Sequence, residues 1–321
     1  MSEVRGPLDA LAVPRFAGIR TFGRLPLLEE VENPRIAVLG APYDGGVSFR
    51  PGPRFGPAAV RDASILLRPF HEPLGVDVFT GVQCADAGDA PAVPVDVHEA
   101  HRAITERALE VMAAGGEFAT RVIGIGGDHS CALPFLRAAA ERHGPLSLIQ
   151  LDAHSDTWDA YFGEKVTHGT IMRRAVEEGI VDAATSAQIG MRGPLYAAED
   201  LGDARDMGFD VVTTSQLFEQ GPAAVVARAI ERAGPAVYVS FDVDVLDPAH
   251  APGTGTPEPG GLSTREAQAI LRGLAPLAPR IVGGDVVEVS PPYDVAALTA
   301  TVGANMAFEL MALIALGLRA V

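Results

Sequence analysis

The sequence is poor in cysteine, tryptophan and basic residues. Its two cysteines, Cys84 and Cys131, stand far apart and outside any metal-binding spacing, which argues against a disulfide scaffold and predicts a cytoplasmic protein. The chain has only 25 basic residues but 41 acidic ones, which gives a formal net charge of −16. Because a field of that sign repels phosphate backbones and anionic lipid, nucleic acid and membranes are not expected as partners. Cationic substrates and divalent metal ions are favoured instead.

Apolar runs long enough to span a membrane are also scarce. The N-terminus has no early apolar run, so no signal peptide is expected. Residues 296–318 are largely apolar, but Gly303, Asn305 and Glu309 interrupt them. A stretch of this kind at the end of an α/β chain predicts a buried helix rather than a membrane span.

What the sequence does contain is an alternation of short β-branched runs and longer helical patterns. The predicted strands are 35–39, 121–125, 147–151, 187–189, 211–213, 237–241 and 281–287, and the predicted helices are 98–114, 133–142, 170–178, 222–233 and 264–274. Such alternation predicts a mostly parallel sheet covered by helices. No linker divides the chain, so one domain over 1–321 is expected, with an N-terminal extension (1–33) and a core (34–321).

Acidic and imidazole side chains follow four of the predicted strands. These are His129; then Asp152, His154 and Asp156; then Asp242 and Asp244; and finally Glu288. In open parallel sheets, ligands bind beyond the carboxyl ends of the strands. Because alternate residues of extended chain share a side, the spacing of two within these groups brings several carboxylates together.

Carboxylates crowded in this way would not all stay ionised without a cation. Four carboxylates and two imidazoles exceed what one ion usually takes from a protein, and shared carboxylates can bridge two ions about 3.5–4 Å apart. Oxygen and imidazole ligands without thiolate favour manganese. Iron, cobalt and nickel remain open on ligand type alone.

The motifs around these residues resemble those of the ureohydrolase superfamily, which includes arginase, agmatinase and guanidinobutyrase. The matching segments are Gly-Gly-Asp-His-Ser at 126–130, Asp-Ala-His-Ser-Asp at 152–156, Ser-Phe-Asp-Val-Asp-Val-Leu-Asp-Pro at 240–248, Ala-Pro-Gly-Thr-Gly-Thr-Pro at 251–257 and Glu-Val-Ser-Pro-Pro-Tyr-Asp at 288–294. The resemblance extends from about Pro14 to the C-terminus.

This resemblance implies a three-layer α/β/α sandwich and a homo-oligomer, trimeric or hexameric. It also implies two Mn²⁺ ions per subunit. The ions would be bridged by Asp152 and Asp242. His129 and Asp156 would complete one ion's ligands, and His154 and Asp244 would complete the other's.

The resemblance further implies catalytic roles for Glu288 and His168. Glu288 would pair with the substrate guanidinium, which presents two hydrogen bonds to a carboxylate. His168, in Thr-His-Gly-Thr at 167–170, would protonate the leaving amine. Asp128 is expected to orient His129 or to cap a helix.

The expected substrate is a small cationic guanidino compound, most simply agmatine, which would give putrescine and urea. The run before His168 departs from the arginase pattern. Asp159 or Glu164 could face the ammonium of agmatine, and the acidic net charge favours it weakly. The alternative is guanidinobutyrase, with the carboxylate of its substrate met by one of three arginines, Arg50, Arg54 or Arg192.

A hypothesis of another class is an inactive metal-binding regulatory relative, but all six ligands, His168 and Glu288 are present. Trp158 either lines the substrate pocket or packs beneath a loop. Five other histidines match no motif and are predicted to lie at the surface: His71, His98, His101, His143 and His250.

Overall fold

A computed structural model of the protein describes residues 4–197 and 199–319. The strands are β1 (Ile36–Ala41), β2 (Phe70–His71), β3 (Val76–Asp77), β4 (Cys84–Asp89), β5 (Arg121–Gly126), β6 (Ser147–Leu151), β7 (Ala187–Met191), β8 (Asp210–Thr213), β9 (Val237–Asp242) and β10 (Ile281–Val287). The helices are α1 (Gly56–Ser64), α2 (Val97–Ala113), α3 (Ala132–His143), α4 (Ile171–Glu177), α5 (Asp200–Met207), α6 (Thr214–Gln220), α7 (Pro222–Arg232), α8 (Thr264–Gly273) and α9 (Leu298–Arg319).

Eight strands form one sheet in the order β4-β1-β5-β10-β9-β6-β7-β8. Every pairing in this sheet is parallel. The two short strands β2 and β3 form a separate antiparallel pair. The prediction of a mostly parallel sheet is therefore confirmed.

The sheet is buried on both faces, and alternate residues of its strands serve two cores. In β1, Ile36 and Val38 join a cluster with α1, α7, α8 and α9, whereas Ala37 and Leu39 join a cluster with α2, α3, α4 and α5. This is the period of two that extended chain imposes. The predicted three-layer α/β/α sandwich is confirmed, because helices cover both faces.

Local sequence explains where several helices begin. Asp96 accepts hydrogen bonds from the backbone N–H groups of His98 and Glu99 at the start of α2. Ser263 and Glu266 form a reciprocal capping box at the start of α8. These side chains satisfy N–H groups that the helix itself leaves without partners.

The apolar C-terminal stretch forms the buried helix α9, as predicted. By length and composition alone α9 could cross a membrane, but 78% of its apolar window is buried in the protein. It packs against α1, α8 and β10. Its one buried acid, Glu309, accepts hydrogen bonds from Arg272 and lies 2.8 Å from His71 Nε2.

Several elements were missing from the prediction. The edge strand β4 has the sequence Cys-Ala-Asp-Ala-Gly-Asp and lacks the β-branched residues that mark strands. Pairing with β1 and an ion pair between Asp86 and Arg61 hold it in place. The helices α1, α5 and α6 were also absent from the predicted set.

Candidate metal centre

The predicted metal ligands and Glu288 lie at the carboxyl ends of four adjacent strands, β5, β10, β9 and β6, in the middle of the sheet. Asp242 is the last residue of β9, and Asp152 follows β6 directly. His129 begins a short 3₁₀ turn after β5, and Glu288 follows β10. Side chains from distant parts of the sequence therefore meet at one edge.

His129 faces three carboxylates. Its Nδ1 atom lies 2.9 Å from Asp152 Oδ2, 2.9 Å from Asp156 Oδ2 and 3.3 Å from Asp242 Oδ2. All four side chains are buried. The ligand atoms of His129, Asp152 and Asp156 lie within 4.8 Å of one another, close enough to hold one metal ion.

A second group of ligand atoms lies beside the first. His154 Nδ1 lies 3.0 Å from Asp244 Oδ2 and 3.6 Å from Asp152 Oδ1, and this trio also lies within 4.8 Å. Asp152 belongs to both groups, with a different oxygen towards each histidine. That placement allows one carboxylate to serve two ions.

A hydrogen-bond chain sets the tautomer of His129. Ser240 Oγ donates to Asp285 Oδ1 at 2.7 Å, so it accepts from His129 Nε2, which lies 2.9 Å away. Tyr238 donates to the other oxygen of Asp285. With its proton on Nε2, the ring turns the Nδ1 lone pair towards the carboxylates, and this buried Nδ1 makes no hydrogen bond to any described residue.

The electrostatics of the cluster fit a cation. Burial and the charges of Asp244 and Asp152 raise the pKa of Asp242 well above its usual value. Burial and the charge of Asp152 raise the pKa of Asp156 to about 6. The converging carboxylates repel one another and, together with the imidazole lone pair, lack a compensating positive charge. A divalent ion would supply that charge. The residues therefore fit a metal centre.

Glu288 and His168 form a pair next to this cluster. Glu288 Oε1 accepts from the backbone N–H of His129 at 2.9 Å and lies 3.0 Å from His168 Nδ1. The other oxygen, Oε2, is buried and has no hydrogen-bond partner within residues 4–197 and 199–319. Burial lowers the pKa of His168, but the hydrogen bond and charge of Glu288 outweigh burial and raise it to about 8.

The backbone around these side chains is unusual. Asp156 and Glu288 have φ values of 54° and 65°, a region that non-glycine residues seldom occupy and that costs about 1–3 kcal/mol. Gly255 faces the unpaired oxygen of Glu288, because a Cβ there would lie 3.0 Å from Oε2. The glycine keeps space open beside that oxygen.

A cavity of about 630 Å³ opens over the metal ligands. Aromatic side chains form one wall of it. Trp158 stacks on Tyr161 with 5.1 Å between ring centroids, and the hydroxyl of Tyr161 lies 3.0 Å from that of Tyr196. Trp158 therefore lines the pocket, which settles the two alternatives for it.

The charged residues expected to meet the substrate tail differ in whether their side chains already have partners in the protein. The Arg192 guanidinium donates to backbone carbonyls, including those of Asp244, Val245, Leu246 and Glu258. Arg54 pairs with Asp44, and Asp159 pairs with Arg174. Arg50 lines the cavity, and within the described chain it forms no ion pair. Arg50 Cζ lies 5.0 Å from the centroid of the Tyr293 ring.

Of the two alternatives for Asp128, the cap is confirmed. Asp128 caps the 3₁₀ turn His129–Cys131, where its carboxylate accepts from the N–H of Ser130, and it also accepts from the N–H of Gly46. Ser240, rather than Asp128, contacts the ring of His129.

The prediction that His71 and His101 lie at the surface is wrong, because both are buried. His71 meets Glu309, and His101 Nε2 lies 3.3 Å from Ser130 Oγ.

Sequence reasoning missed the side chains behind the ligands. Besides Ser240 and Asp285, Gln150 donates to Asp152 Oδ2 at 2.7 Å and itself accepts from Gln188. All four are polar residues inside buried strands. Gln150 and Ser240 each stand two residues before a ligand, and Asp285 is the register partner of Ser240. The spacing of two residues that grouped the ligands could therefore also have identified Gln150 and Ser240, because alternate residues of a strand lie on the same side.

The chain belongs to the arginase family, whose family model matches residues 34–313, so the resemblance seen in the motifs is confirmed and the protein is a guanidino hydrolase of that family. It is 47% identical over 312 residues to a guanidinopropionase of Pseudomonas aeruginosa, covering 96% of each chain. It is 41% identical to a guanidinobutyrase of the same organism, covering 95% of each. The solved structure of proclavaminate amidino hydrolase from Streptomyces clavuligerus superposes with a TM-score of 0.89 at 42% identity, covering 95% of this chain and 100% of the other.

Proposed function

We propose that this protein hydrolyses a small ω-guanidino acid, such as guanidinopropionate or guanidinobutyrate, to urea and the corresponding amino acid. The observation that carries the choice of substrate is Arg50, which lines the cavity and has no acidic partner in the described residues. Guanidinium groups bind carboxylates through paired hydrogen bonds. The names of the relatives above point to the same substrate class.

The metal centre would hold two manganese ions. His129 and Asp156 would complete one ion's ligands and His154 and Asp244 the other's, with Asp152 and Asp242 shared. Bound divalent ions lower the pKa of a coordinated water towards about 7 and so supply a nucleophile at neutral pH.

Two residues of this chain would handle the substrate head and the proton. The unpaired Glu288 Oε2 would accept hydrogen bonds from the guanidinium and hold its carbon in place. Water adds to that carbon, and the bond between the carbon and the nitrogen attached to the substrate's alkyl chain breaks. That leaving nitrogen must gain a proton. His168 lines the cavity, and its raised pKa lets it carry that proton at neutral pH.

A second candidate substrate is agmatine, because Glu258 also lines the cavity and its carboxylate forms neither an ion pair nor a hydrogen bond among the described residues. This carboxylate could meet an ammonium at the far end of the substrate. Asp200 lines the cavity too, but it accepts from the backbone N–H of Tyr196. Of the two candidates from the sequence, Asp159 is paired with Arg174, and Glu164 is not among the residues that line the cavity.

The test is urea release by the manganese-loaded enzyme with guanidinopropionate, guanidinobutyrate and agmatine. We expect the guanidino acids to have the higher kcat/KM. Arg50→Leu should lower that value about 10- to 100-fold, the worth of a charged hydrogen bond, and leave agmatine turnover unchanged. Glu258→Gln is the matched control and should not harm guanidino acid turnover.

Preference for agmatine together with a loss in Glu258→Gln would overturn the guanidino acid assignment. Absence of urea with every substrate would instead favour a metal-binding regulatory protein.

We also propose that the enzyme works in the cytoplasm. Cys84 and Cys131 are both buried and unpaired, as expected in a reducing compartment. No nucleic acid or membrane partner is proposed, because of the net charge of −16. Recovery of the protein in a membrane or extracellular fraction would contradict this location.

A further inference from the structure

A second cluster of cationic side chains lies at the opposite end of the sheet from the metal centre. Arg121 is the first residue of β5, and Arg35 immediately precedes β1. Arg142 and His143 end α3. These four side chains line a cavity of about 240 Å³, which Glu117, Phe118 and Ala119 complete.

The positive charges of this cluster are not balanced. Within the described residues, Arg35, Arg121 and Arg142 form no ion pair, and the carboxylate of Glu117 pairs with none of them. Arg121 Nη1 instead lies 2.8 Å from His143 Nε2. Arg35 stacks on Phe118 at 4.9 Å, and its buried Nε atom has no hydrogen-bond partner in the part of the chain that the structure describes.

The arginines repel one another and the histidine. Burial and the charge of Arg35 lower the pKa of Arg121. Burial and the charges of Arg121 and Arg142 lower the pKa of His143 to about 4. His143 is therefore neutral at pH 7 and accepts a hydrogen bond from Arg121.

Two arginines buried elsewhere in the described chain are matched by carboxylates, whereas the buried Arg24 donates to the backbone carbonyl of Val13. Arg61 pairs with Asp86 and Asp89, and Arg174 pairs with Asp159 and Glu177. In a protein with 41 acidic residues, three adjoining arginines that have no carboxylate partner among the described residues leave room for a counter-ion from outside the chain.

We propose that this cluster binds a small multivalent oxyanion, such as inorganic phosphate or a small polycarboxylate. Guanidinium groups present forked donors that match such oxygens. At about 240 Å³ the cavity is smaller than the roughly 300–1,000 Å³ of pockets for drug-sized ligands, which suits a small anion. The site is separate from the metal centre and does not depend on the proposed function.

The test is isothermal titration of the manganese-loaded enzyme with inorganic phosphate and, separately, with citrate at low ionic strength. Low ionic strength keeps screening weak. We expect one binding equivalent that weakens at least about tenfold in Arg121→Gln/Arg142→Gln, because charged hydrogen bonds are lost. The tighter of the two anions identifies the kind of ligand.

The matched control is Arg68→Gln/Arg265→Gln, which removes the same charge from two exposed positions and should bind like the wild type. Because phosphate can also bind near metal ions, the readout is the equivalent that the double variant loses. Urea release should be equal in all these proteins. If the double variant does not fold, the single change at exposed Arg142 should still weaken binding.

Two outcomes would overturn the proposal. One is equal anion binding, or none, in the wild type and the double variant. The other is a change in molecular mass of the variant without any change in anion binding, which would assign the arginines to an acidic surface of a second copy of the chain.

Discussion

At the scale of single residues, the hydrogen-bond chain behind His129 orients the imidazole so that the Nδ1 lone pair points towards the metal site. Ser240 and Asp285 hold the Nε2 proton, so Nδ1 is free to bind metal. Ser240→Ala should therefore weaken manganese binding about 10- to 100-fold, as loss of such supporting groups does elsewhere. Chelator competition with the purified enzyme measures this.

His168→Asn is the contrasting variant, because His168 contacts Glu288 and Ser48 rather than a ligand side chain. It should keep manganese affinity and slow urea release by about 10²- to 10⁴-fold, the usual effect of losing general acid catalysis.

The Ser240→Ala prediction has its own contradicting outcome. Unchanged manganese affinity in Ser240→Ala would show that the hydrogen-bond chain from His129 to Asp285 does not support metal binding.

Residue-level prediction worked where chemistry repeats at a fixed spacing. Asp152, His154 and Asp156 directly follow a strand, so their position at the sheet edge was foreseeable. The burial of His71 was not, because its partner Glu309 lies 238 positions away. No local pattern reports a contact over that distance.

At the scale of elements, α9 carries a buried carboxylate in an apolar helix. Burial raises the pKa of Glu309, but hydrogen bonds from His71 and Arg272 outweigh it and leave the pKa below its ordinary 4.5. A carboxyl whose pKa falls on folding stabilises the protein above its unfolded pKa, and this contribution is lost as the pH falls through the folded value.

Glu309→Gln should therefore lower the free energy of unfolding by about 1–3 kcal/mol at pH 7, the range for a charged hydrogen bond. The difference from the wild type should shrink below about pH 4 as Glu309 itself becomes protonated. Urea denaturation at several pH values measures it.

Glu231→Gln is the matched control for this series, because Glu231 is exposed and should change stability little. A deficit in Glu309→Gln that stays constant between pH 3 and pH 7 would contradict the role of the Glu309 charge.

The elements that the sequence predicted are those with apolar or strongly periodic patterns. Strands β5, β6, β9 and β10 are largely apolar and are buried on both faces, as expected for a sheet covered on both sides. The missed strand β4 depends on its pairing with β1 and on the Arg61–Asp86 ion pair. These tertiary contacts override a composition that is poor for a strand.

At the scale of the whole molecule, the N-terminal segment leaves apolar side chains on the surface. Leu11, Phe16 and Ile19 are 97%, 76% and 79% exposed. Because exposed apolar groups often mark protein contacts, we propose that the protein forms a trimer or hexamer and that these side chains lie between its subunits. Light scattering should give three or six times the chain mass of 33.5 kDa. A monomer at micromolar concentration would contradict this.

The strand order also decides when the metal centre can form during synthesis. Strands β5 and β6 supply His129, Asp152, His154 and Asp156, but β10 and β9 lie between them in the sheet. These two strands fix the positions of β5 and β6 relative to each other. A nascent chain ending before Val237 has four of the ligands but lacks both strands, so nothing in the sheet holds His129 beside Asp152 and Asp156. Metal loading should wait until translation has passed Glu288.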